Sequence, residues 1–205
     1  MRRLTLLLAT MMMALVVITG VAIADTINCF PGRACIGTDG PDTLYGSSRS
    51  DYMNALQGDD KLFGNEGYDF LSGDAFEASD TSTDGNDRIG GGQNYDELYG
   101  YGGNDTLLGR SGGDFIFAEE SSENEGEDVI RGEEGNDYIL AKDGVKDTIL
   151  CGTGKYDVAF FDKGIDTVSD SCERKNPNFG GFGVASSSTA EKVDAEEVKV
   201  LRSRN

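Results

Sequence analysis

The chain has 205 residues, enough for one ordinary domain, and carries 18 Lys+Arg against 37 Asp+Glu, a formal charge of −19. This excess of negative charge excludes nucleic acid as a partner, because the phosphate backbone would be repelled. Two explanations fit the composition: a solvated acidic coil, or a scaffold that holds cations. An acidic coil would lack a regular pattern of apolar residues, and this chain has such a pattern.

The N-terminal segment, residues 1–24, differs in composition from the rest. Arg2 and Arg3 give a short basic start, residues 4–24 are almost wholly apolar, and the run ends in Ala-Ile-Ala, the small-x-small pattern of a signal-peptidase site. We therefore predict that residues 1–24 are a cleaved signal peptide and that the protein is secreted, with no stable membrane insertion afterwards. An uncleaved anchor is the alternative, since the apolar run is barely long enough to span a bilayer. Cleavage removes two arginines and no acidic residue, so the formal charge moves from −19 to −21.

Four cysteines fall in two close pairs, Cys29/Cys35 and Cys151/Cys172, which flank the acidic region. An exported chain meets oxidising conditions, so disulfides are expected. Four cysteines allow three connectivities, and we favour pairing within each close pair, which would staple the two ends. Thiolate metal sites use CxxC spacing, which is absent from this sequence.

Internal repetition dominates the middle of the chain. Thirteen aspartates are each followed two residues later by an apolar side chain, and most of them are nine residues apart. They are Asp42, Asp51, Asp60, Asp69, Asp87, Asp96, Asp105, Asp114, Asp128, Asp137, Asp147, Asp157 and Asp166. A random acidic chain would not keep aspartate and an apolar residue in phase for over a hundred residues.

Glycine recurs in the same phase as the aspartates. It commonly stands five and two residues before the aspartate, which gives the consensus G-x-x-G-x-D-x-(Leu/Ile)-x. Arg49, Val145 and Lys155 depart from the second glycine position, whereas Asn94 replaces it with a residue that tolerates left-handed geometry.

The pattern resembles the RTX (hemolysin-type) nonapeptide family, whose consensus is G-G-x-G-x-D-x-U-x. The clearest copies are residues 100–108, Gly-Tyr-Gly-Gly-Asn-Asp-Thr-Leu-Leu, and residues 132–140, Gly-Glu-Glu-Gly-Asn-Asp-Tyr-Ile-Leu. The resemblance covers about residues 37–168, and it implies a small secreted bacterial protein that binds Ca²⁺. An N-terminal signal departs from many family members, which use an uncleaved C-terminal export signal, and this puts a toxin-like function in doubt.

The spacing itself predicts an all-β fold, a parallel β-roll (β-solenoid) of nine-residue half-turns. Six Gly-rich residues that end in Asp make a tight turn, and the next three form a minimal strand whose middle aliphatic faces inward. Eighteen residues complete one turn, and parallel turns stack at about 4.8 Å. Stacking brings Asp42 beside Asp60, Asp51 beside Asp69, Asp87 beside Asp105, and Asp96 beside Asp114.

Stacked carboxylates need a counter-charge. Two of them about 5 Å apart repel by about 3 kcal/mol at an effective dielectric near 20, whereas Ca²⁺ between them accepts carboxylate and backbone carbonyl oxygens. Mg²⁺ is less suitable because it holds its waters and demands a stricter octahedron. The aliphatic core is thin for its length, so we expect folding to be coupled to Ca²⁺ binding. The predicted ligands are Asp42, Asp51, Asp60, Asp69, Asp87, Asp96, Asp105, Asp114, Asp128, Asp137 and Asp147.

Residues 73–81 fill one nine-residue slot but carry Ala78 in place of the aspartate and Asp80 in place of the aliphatic. The slot is either a degenerate half-turn or a loop. A half-turn would align Tyr45, Phe63, Tyr99 and Phe117 on one outer face, and a loop would leave two on each face. An aromatic ladder of this kind either binds a glycan or protein partner or, as we favour, stacks to support adjacent turns. The acidic segment 119–125 is predicted to be a solvated loop that contains a five-residue insertion.

The sequence divides into five segments. These are the signal peptide (1–24), a disulfide N-terminal cap (25–36), the RTX β-roll (37–150), degenerate repeats with a disulfide C-terminal cap (151–173), and a flexible tail (174–205).

The favoured function is non-enzymatic, extracellular calcium binding with a structural or surface-interaction role. The chain has no histidine, so it can form neither an HExxH zinc site nor a His-based triad, and it has no G-x-S-x-G elbow. The alternatives are an adhesin-like module that uses the aromatic ladder and the calcium-binding remnant of a secreted hydrolase.

Overall fold

The computed structural model describes residues 24–75, 84–118 and 126–176, in which the chain forms short strands joined by tight turns and no helix. The strands are β1 (Thr26–Asn28), β2 (Ala34–Ile36), β3 (Thr43–Tyr45), β4 (Tyr52–Leu56), β5 (Lys61–Glu66), β6 (Phe70–Asp74), β7 (Arg88–Gln93), β8 (Glu97–Tyr99), β9 (Thr106–Ser111), β10 (Phe115–Phe117), β11 (Val129–Glu134), β12 (Tyr138–Ala141), β13 (Thr148–Thr153), β14 (Val158–Phe161), β15 (Thr167–Val168) and β16 (Arg174–Asn176). Within these ranges there is accordingly no apolar helix with the length to cross a bilayer. Residues 1–23 of the predicted signal peptide lie outside the described residues.

Successive strands alternate between two parallel sheets. The odd-numbered strands form one eight-stranded sheet, which we call sheet A, and the even-numbered strands form a second, sheet B. Each strand pairs with the strand two further along the chain, as in the registers Leu44↔Leu62 and Met53↔Leu71. One turn of the coil therefore contains one strand from each sheet, and the predicted parallel β-roll of half-turns is confirmed.

One aliphatic side chain from each half-turn fills the interior. It stands two residues after the repeat aspartate, at the inward-facing position that the alternation of side chains along a strand creates. These side chains are fully buried: Leu44, Met53, Leu62, Leu71, Ile89, Leu98, Leu107, Ile116, Ile130, Ile139, Ile149 and Ala159. The core is thin, as the sequence predicted, and both sheets contribute to it.

A second interior position, four residues after the aspartate, holds a small side chain in every half-turn from Asp42 to Asp147, and Phe161 takes this position after Asp157. The position coincides with the opening glycine of the next repeat, and where glycine is missing it holds Ala55, Ala118, Ala141 or Cys151, all buried. Several strands extend past this position, so β5 and β9 have six residues rather than the three predicted. The small side chains allow the backbones of adjacent turns to remain paired there.

The slot at residues 73–81 is not a half-turn. An undisturbed turn pairs Thr43 of β3 with Lys61 of β5, and the same period would place the next partner at Ser79. Lys61 instead pairs with Arg88 of β7. The nine surplus residues lie between β6 and β7, and Gly73 and Asp74 complete β6. The loop alternative is therefore the correct one, although residues 76–83 themselves, with Ala78 and Asp80, lie outside the described residues.

The second irregularity is the insertion between β10 and β11. Thr106 pairs with Val129, where the regular period would place its partner at Asn124. The pairing confirms an insertion of five residues beyond a normal turn. Residues 119–125 lie outside the described residues, and both sheets keep their register across the insertion.

Because the first surplus segment is not a half-turn, the four ninth-position aromatics separate into two pairs. Tyr45 stacks on Phe63 outside sheet A, with ring centroids 5.2 Å apart. Tyr99 stacks on Phe117 outside sheet B, with centroids 4.7 Å apart. Each ring covers the face of its neighbour, an arrangement that supports adjacent turns.

The sheet B ladder is longer than the sequence suggested, because a second outward position also carries aromatic residues. Rings at this position join the ladder through contacts of 4.9–6.4 Å between centroids, and they belong to Tyr52, Phe70, Phe115 and Tyr138. Phe160, at the ninth position, extends the ladder through its contact with Tyr138.

Disulfides close both ends of the coil. They join Cys29 to Cys35 and Cys151 to Cys172, the within-pair connectivity that the spacing favours. The strands continue through the segments assigned to caps, and β16 includes residues 174–176 of the predicted tail. Residues 177–205 lie outside the described residues.

Replacement of Ile130 by Ala should lower the free energy of unfolding by about 2–5 kcal/mol, because it leaves a cavity between the two sheets. Val129→Ala, at the adjoining outward position of β11, is the matched control and should cost less than about 1 kcal/mol. Urea unfolding followed by circular dichroism at one fixed calcium concentration measures both. Equal losses for the two variants would contradict the assignment of the interior.

Candidate metal sites

The repeat aspartates form two files, one along each edge of the coil. File A precedes the strands of sheet A and contains Asp42, Asp60, Asp87, Asp105, Asp128 and Asp147. File B precedes the strands of sheet B and contains Asp51, Asp69, Asp96, Asp114, Asp137 and Asp157. All of these side chains are buried, none more than 5% exposed. The structure thus brings all eleven predicted aspartates to the two edges, in the stacked neighbour pairs that the period predicts.

One oxygen of each carboxylate except that of Asp51 is held by the backbone of the preceding turn. The N–H of Asp42 donates to Oδ1 of Asp60 over 2.6 Å, and the N–H of Asp60 donates to Oδ1 of Asp87 over 2.8 Å. In file B the N–H of Asp69 donates to Oδ1 of Asp96 over 2.9 Å. The same bond recurs along both files with lengths up to 3.0 Å, so stacking fixes the position of every file carboxylate except that of Asp51.

The second oxygen of most of these carboxylates is buried without a hydrogen-bond partner. This holds for Oδ2 of Asp60, Asp69, Asp87, Asp96, Asp105, Asp114, Asp137, Asp147 and Asp157. An unpaired buried carboxylate oxygen is costly, and its repetition at nine positions along the two files is too regular for a packing defect. A hard cation is the kind of partner that such oxygens fit.

The glycine positions leave space and backbone oxygen beside these carboxylates. A Cβ built on Gly91 would lie 2.5 Å from Oδ2 of Asp96 and 2.9 Å from the carbonyl oxygen of Gly109 in the next turn. A Cβ on Gly109 would likewise lie 2.7 Å from the carbonyl oxygen of Gly132. The absent side chains therefore leave small spaces that are bordered by a carboxylate oxygen and a carbonyl oxygen from adjacent turns, the ligand types that Ca²⁺ takes.

No group of three or more acidic, histidine or cysteine side chains converges on a single metal position within the described ranges. The carboxylates are distributed as files rather than clusters. A cation bound at these edges would therefore depend on backbone carbonyls for much of its coordination.

Burial raises the pKa of the file carboxyls. The pKa rises to about 8 for Asp60, Asp96, Asp114, Asp137 and Asp147. Loss of hydration is the largest cause in each case, and neighbouring carboxylates in the same file add to the increase. Near neutral pH the metal-free edges therefore hold protons, which a cation would displace.

Asp42 and Asp51, at the start of the coil, differ from the other members. Oδ1 of Asp42 accepts from the N–H of Asp25, and its Oδ2 accepts from the N–H and hydroxyl of Thr38. Oδ2 of Asp51 accepts from the N–H of Ser47, and only its Oδ1 is unpaired. The first turn thus replaces part of the candidate coordination with local hydrogen bonds.

Asp74 is a buried acid that the repeat pattern missed. It stands 1% exposed at the end of β6, with Oδ1 accepting from the N–H of Gly85 and Oδ2 unpaired. Burial, followed by the charge of Asp87, raises the pKa of Asp74 to about 9. No sequence signal could have found it, because it lies outside the Asp-x-aliphatic phase.

Asp157 and Glu173 extend file B beyond the predicted ligands, and the half-buried Asp166 extends file A. Asp157 was left out because Lys155 interrupts the glycine pattern, yet it kept the Asp-x-apolar signal through Ala159. Its N–H donates to Oε2 of Glu173 over 2.8 Å, so a glutamate takes the place of aspartate at the last turn.

Comparison with known proteins supports this interpretation of the repeat. Residues 36–71, 81–116 and 124–145 match the family described as RTX calcium-binding nonapeptide repeat (4 copies). A search of curated proteins gave no match. The matched residues contain both carboxylate files from Asp42 to Asp137, and the chain is a member of the RTX calcium-binding nonapeptide repeat family.

Proposed function

We propose that this protein is a non-enzymatic, extracellular calcium-binding protein whose Ca²⁺ ions lie along both edges of the β-roll. The observation that carries the proposal is the repeated, buried and unpaired second oxygen of the file carboxylates. The family to which the chain belongs binds calcium. Among the predicted ligands, Asp42 is the weakest candidate because both of its oxygens accept hydrogen bonds.

Calcium would have a structural role. Each turn adds two aliphatic side chains to the core, and also two carboxylates that lose their hydration. A dication between turns would convert the repulsion within each file into attraction, so folding and metal binding would be one process. We propose no catalytic role for these acids, since stacking already engages one oxygen of every file carboxylate except that of Asp51.

An extracellular location is supported by three features. The first is the composition of residues 1–24, which is that of a signal peptide. The second is the oxidation of both cysteine pairs, because disulfides persist outside the cytosol. The third is the family, since RTX repeat proteins are typically secreted.

The aromatic ladder supports adhesion less well than it supports stacking. Ring pairs in the sheet B ladder lie nearly parallel, with interplanar angles of 6° and 11° for Tyr52–Phe70 and Tyr99–Phe117. Their faces cover one another, so the faces that a sugar would use are already occupied. No observation favours a hydrolase remnant over a dedicated calcium-binding protein.

Calcium should convert residues 25–205 from a chain with little strand signal into the folded coil. Asp96→Asn removes one file carboxylate and should weaken calcium binding by about ten-fold or more, a loss that even outer-shell changes reach. Asp39→Asn, an exposed acid outside both files, removes the same charge and should have little effect. Calcium titrations followed by circular dichroism and calorimetry measure both variants. Strand signal that is identical with and without EGTA would contradict the proposal.

Acid should stabilise the metal-free coil. The pKa of Asp60, Asp96 and Asp114 is about 8 in the folded chain, whereas an unfolded aspartate titrates near pH 4. At these aspartates the folded chain therefore binds more protons than the unfolded chain between these values, so their contribution to stability is fully present at or below about pH 4 and is lost as the pH rises through 8. In EGTA, strand signal should diminish from about pH 5 to 8.5. A signal that strengthens over this range would contradict the carboxylate assignment.

A further inference from the structure

A gap in the outer face of sheet A forms a cleft. Gly90 of β7 is in register with Phe63 of β5 on one side and Leu108 of β9 on the other. It has no side chain to fill the column between them, and the cleft beside it has a volume of about 500 Å³. Its lining includes Phe63, Asn65, Glu66, Gln93 and Arg110.

One wall of the cleft is the ring of Phe63. Its partner on the β3 side is Tyr45, which stacks on it with an interplanar angle of 14°. On the β7 side, where the sheet B ladder would place another ring, Gly90 places none. Gly90 supplies no ring to cover this face of Phe63, which lines the cleft.

The charged component of the cleft is Arg110. A Cβ built on Gly90 would lie 3.0 Å from Nε and 3.6 Å from Nη2 of Arg110, so the guanidinium lies over the glycine. Arg110 is exposed and has a left-handed backbone, with φ 79°, which costs a residue other than glycine about 1–2 kcal/mol. Within the described ranges the ion pairs are made by Lys142, Lys146 and Lys175, so Arg110 makes no direct ion pair there, and the nearest acid in register is Glu133 on β11.

Further cations lie on the same outer face. Lys61 and Arg88 are register neighbours on β5 and β7, and Arg131 lies on β11; all three are exposed. Together with Arg110 these cations give the face four positive side chains, against the carboxylates of Glu66 in the lining and of Glu133 and Glu134 on β11. The guanidinium of Arg110 is the group in the cleft that would attract an anion.

The lining indicates which anion. Gly90 and Gly92 are paired on both sides within sheet A, so their backbones form no nest of free N–H groups for a phosphate, and Glu66 disfavours a multiply charged group. A guanidinium binds a single carboxylate through two parallel hydrogen bonds, side-chain amides suit hydroxyl groups, and an aromatic face suits an apolar ring face. We propose that this cleft binds a saccharide that carries a carboxylate, of the uronate type. The proposal goes beyond calcium binding and requires only the folded coil.

Titration of the calcium-saturated protein with a glucuronate-containing disaccharide, followed by amide NMR, tests the proposal. We expect saturable shifts that centre on β7 and β9, and at least ten-fold weaker binding of the neutral glucose counterpart. Equal binding of the neutral disaccharide would overturn it. Equal binding of a sulfated disaccharide would also overturn it, since the cleft would then be selective for negative charge in general and not for a carboxylate.

Two variants separate the cleft from the rest of the surface. Gly90→Val fills the gap at a strand position whose only close contact is the movable end of Arg110, and it should abolish binding. Arg110→Asn removes the charge with a residue that tolerates left-handed geometry, and it should weaken binding about ten-fold or more. Lys155→Asn removes an exposed cation elsewhere and should leave binding unchanged.

Circular dichroism of each variant in saturating calcium separates failure of the cleft from failure of the calcium-dependent coil. Unchanged binding by Gly90→Val, with its strand signal intact, would overturn the assignment of the site. Loss of binding by Lys155→Asn as strong as that by Arg110→Asn would do the same, because a diffuse charge effect would then be responsible.

Discussion

The stability of the coil depends on the repeat aspartates, because the two oxygens of each carboxylate are in different environments. Stacking of turns gives Oδ1 a backbone donor and in the same step removes Oδ2 from water. The contact that aligns one turn on the next is therefore also the contact that creates a buried charge. With so thin an aliphatic core, the balance between these effects is set by whatever neutralises Oδ2, a proton or a cation, and the coil's stability is inseparable from the ionic composition of its surroundings.

The same balance between stacking and buried charge applies separately at each turn of the coil. Each turn contacts only its neighbours, so stability is approximately a sum over adjacent pairs. The ends lack one neighbour, and there the chain changes its chemistry: Thr38 and Ser47 supply donors to the first carboxylates, Glu173 ends file B, and a disulfide fixes each terminal segment.

The periodic features of the fold could be predicted because they depend on residues a fixed distance apart. The regular spacing of the aspartates predicted the two files, and the aliphatic residue two positions after each aspartate predicted the core. The slot at 73–81 could not be decided in this way, since either path preserves the nine-residue count; only the pairing of Lys61 with Arg88 distinguishes them. Asp74 and the Gly90 cleft could not be predicted from the sequence for the same reason. Their neighbours are determined by the pairing of β5 with β7, which is nine residues away from the regular position.

The two long margins of the coil differ in how much length they tolerate. At the corners that lead from sheet A to sheet B, successive aspartates are nine residues apart in five cases and ten in the sixth. Both surplus segments occur at the opposite corners, between β6 and β7 and between β10 and β11. The corners along one margin thus have an almost constant length. The corners along the other margin accept extra residues between turns, and the strands on either side keep their register. Diversification of such a protein, natural or engineered, would be concentrated along that permissive border.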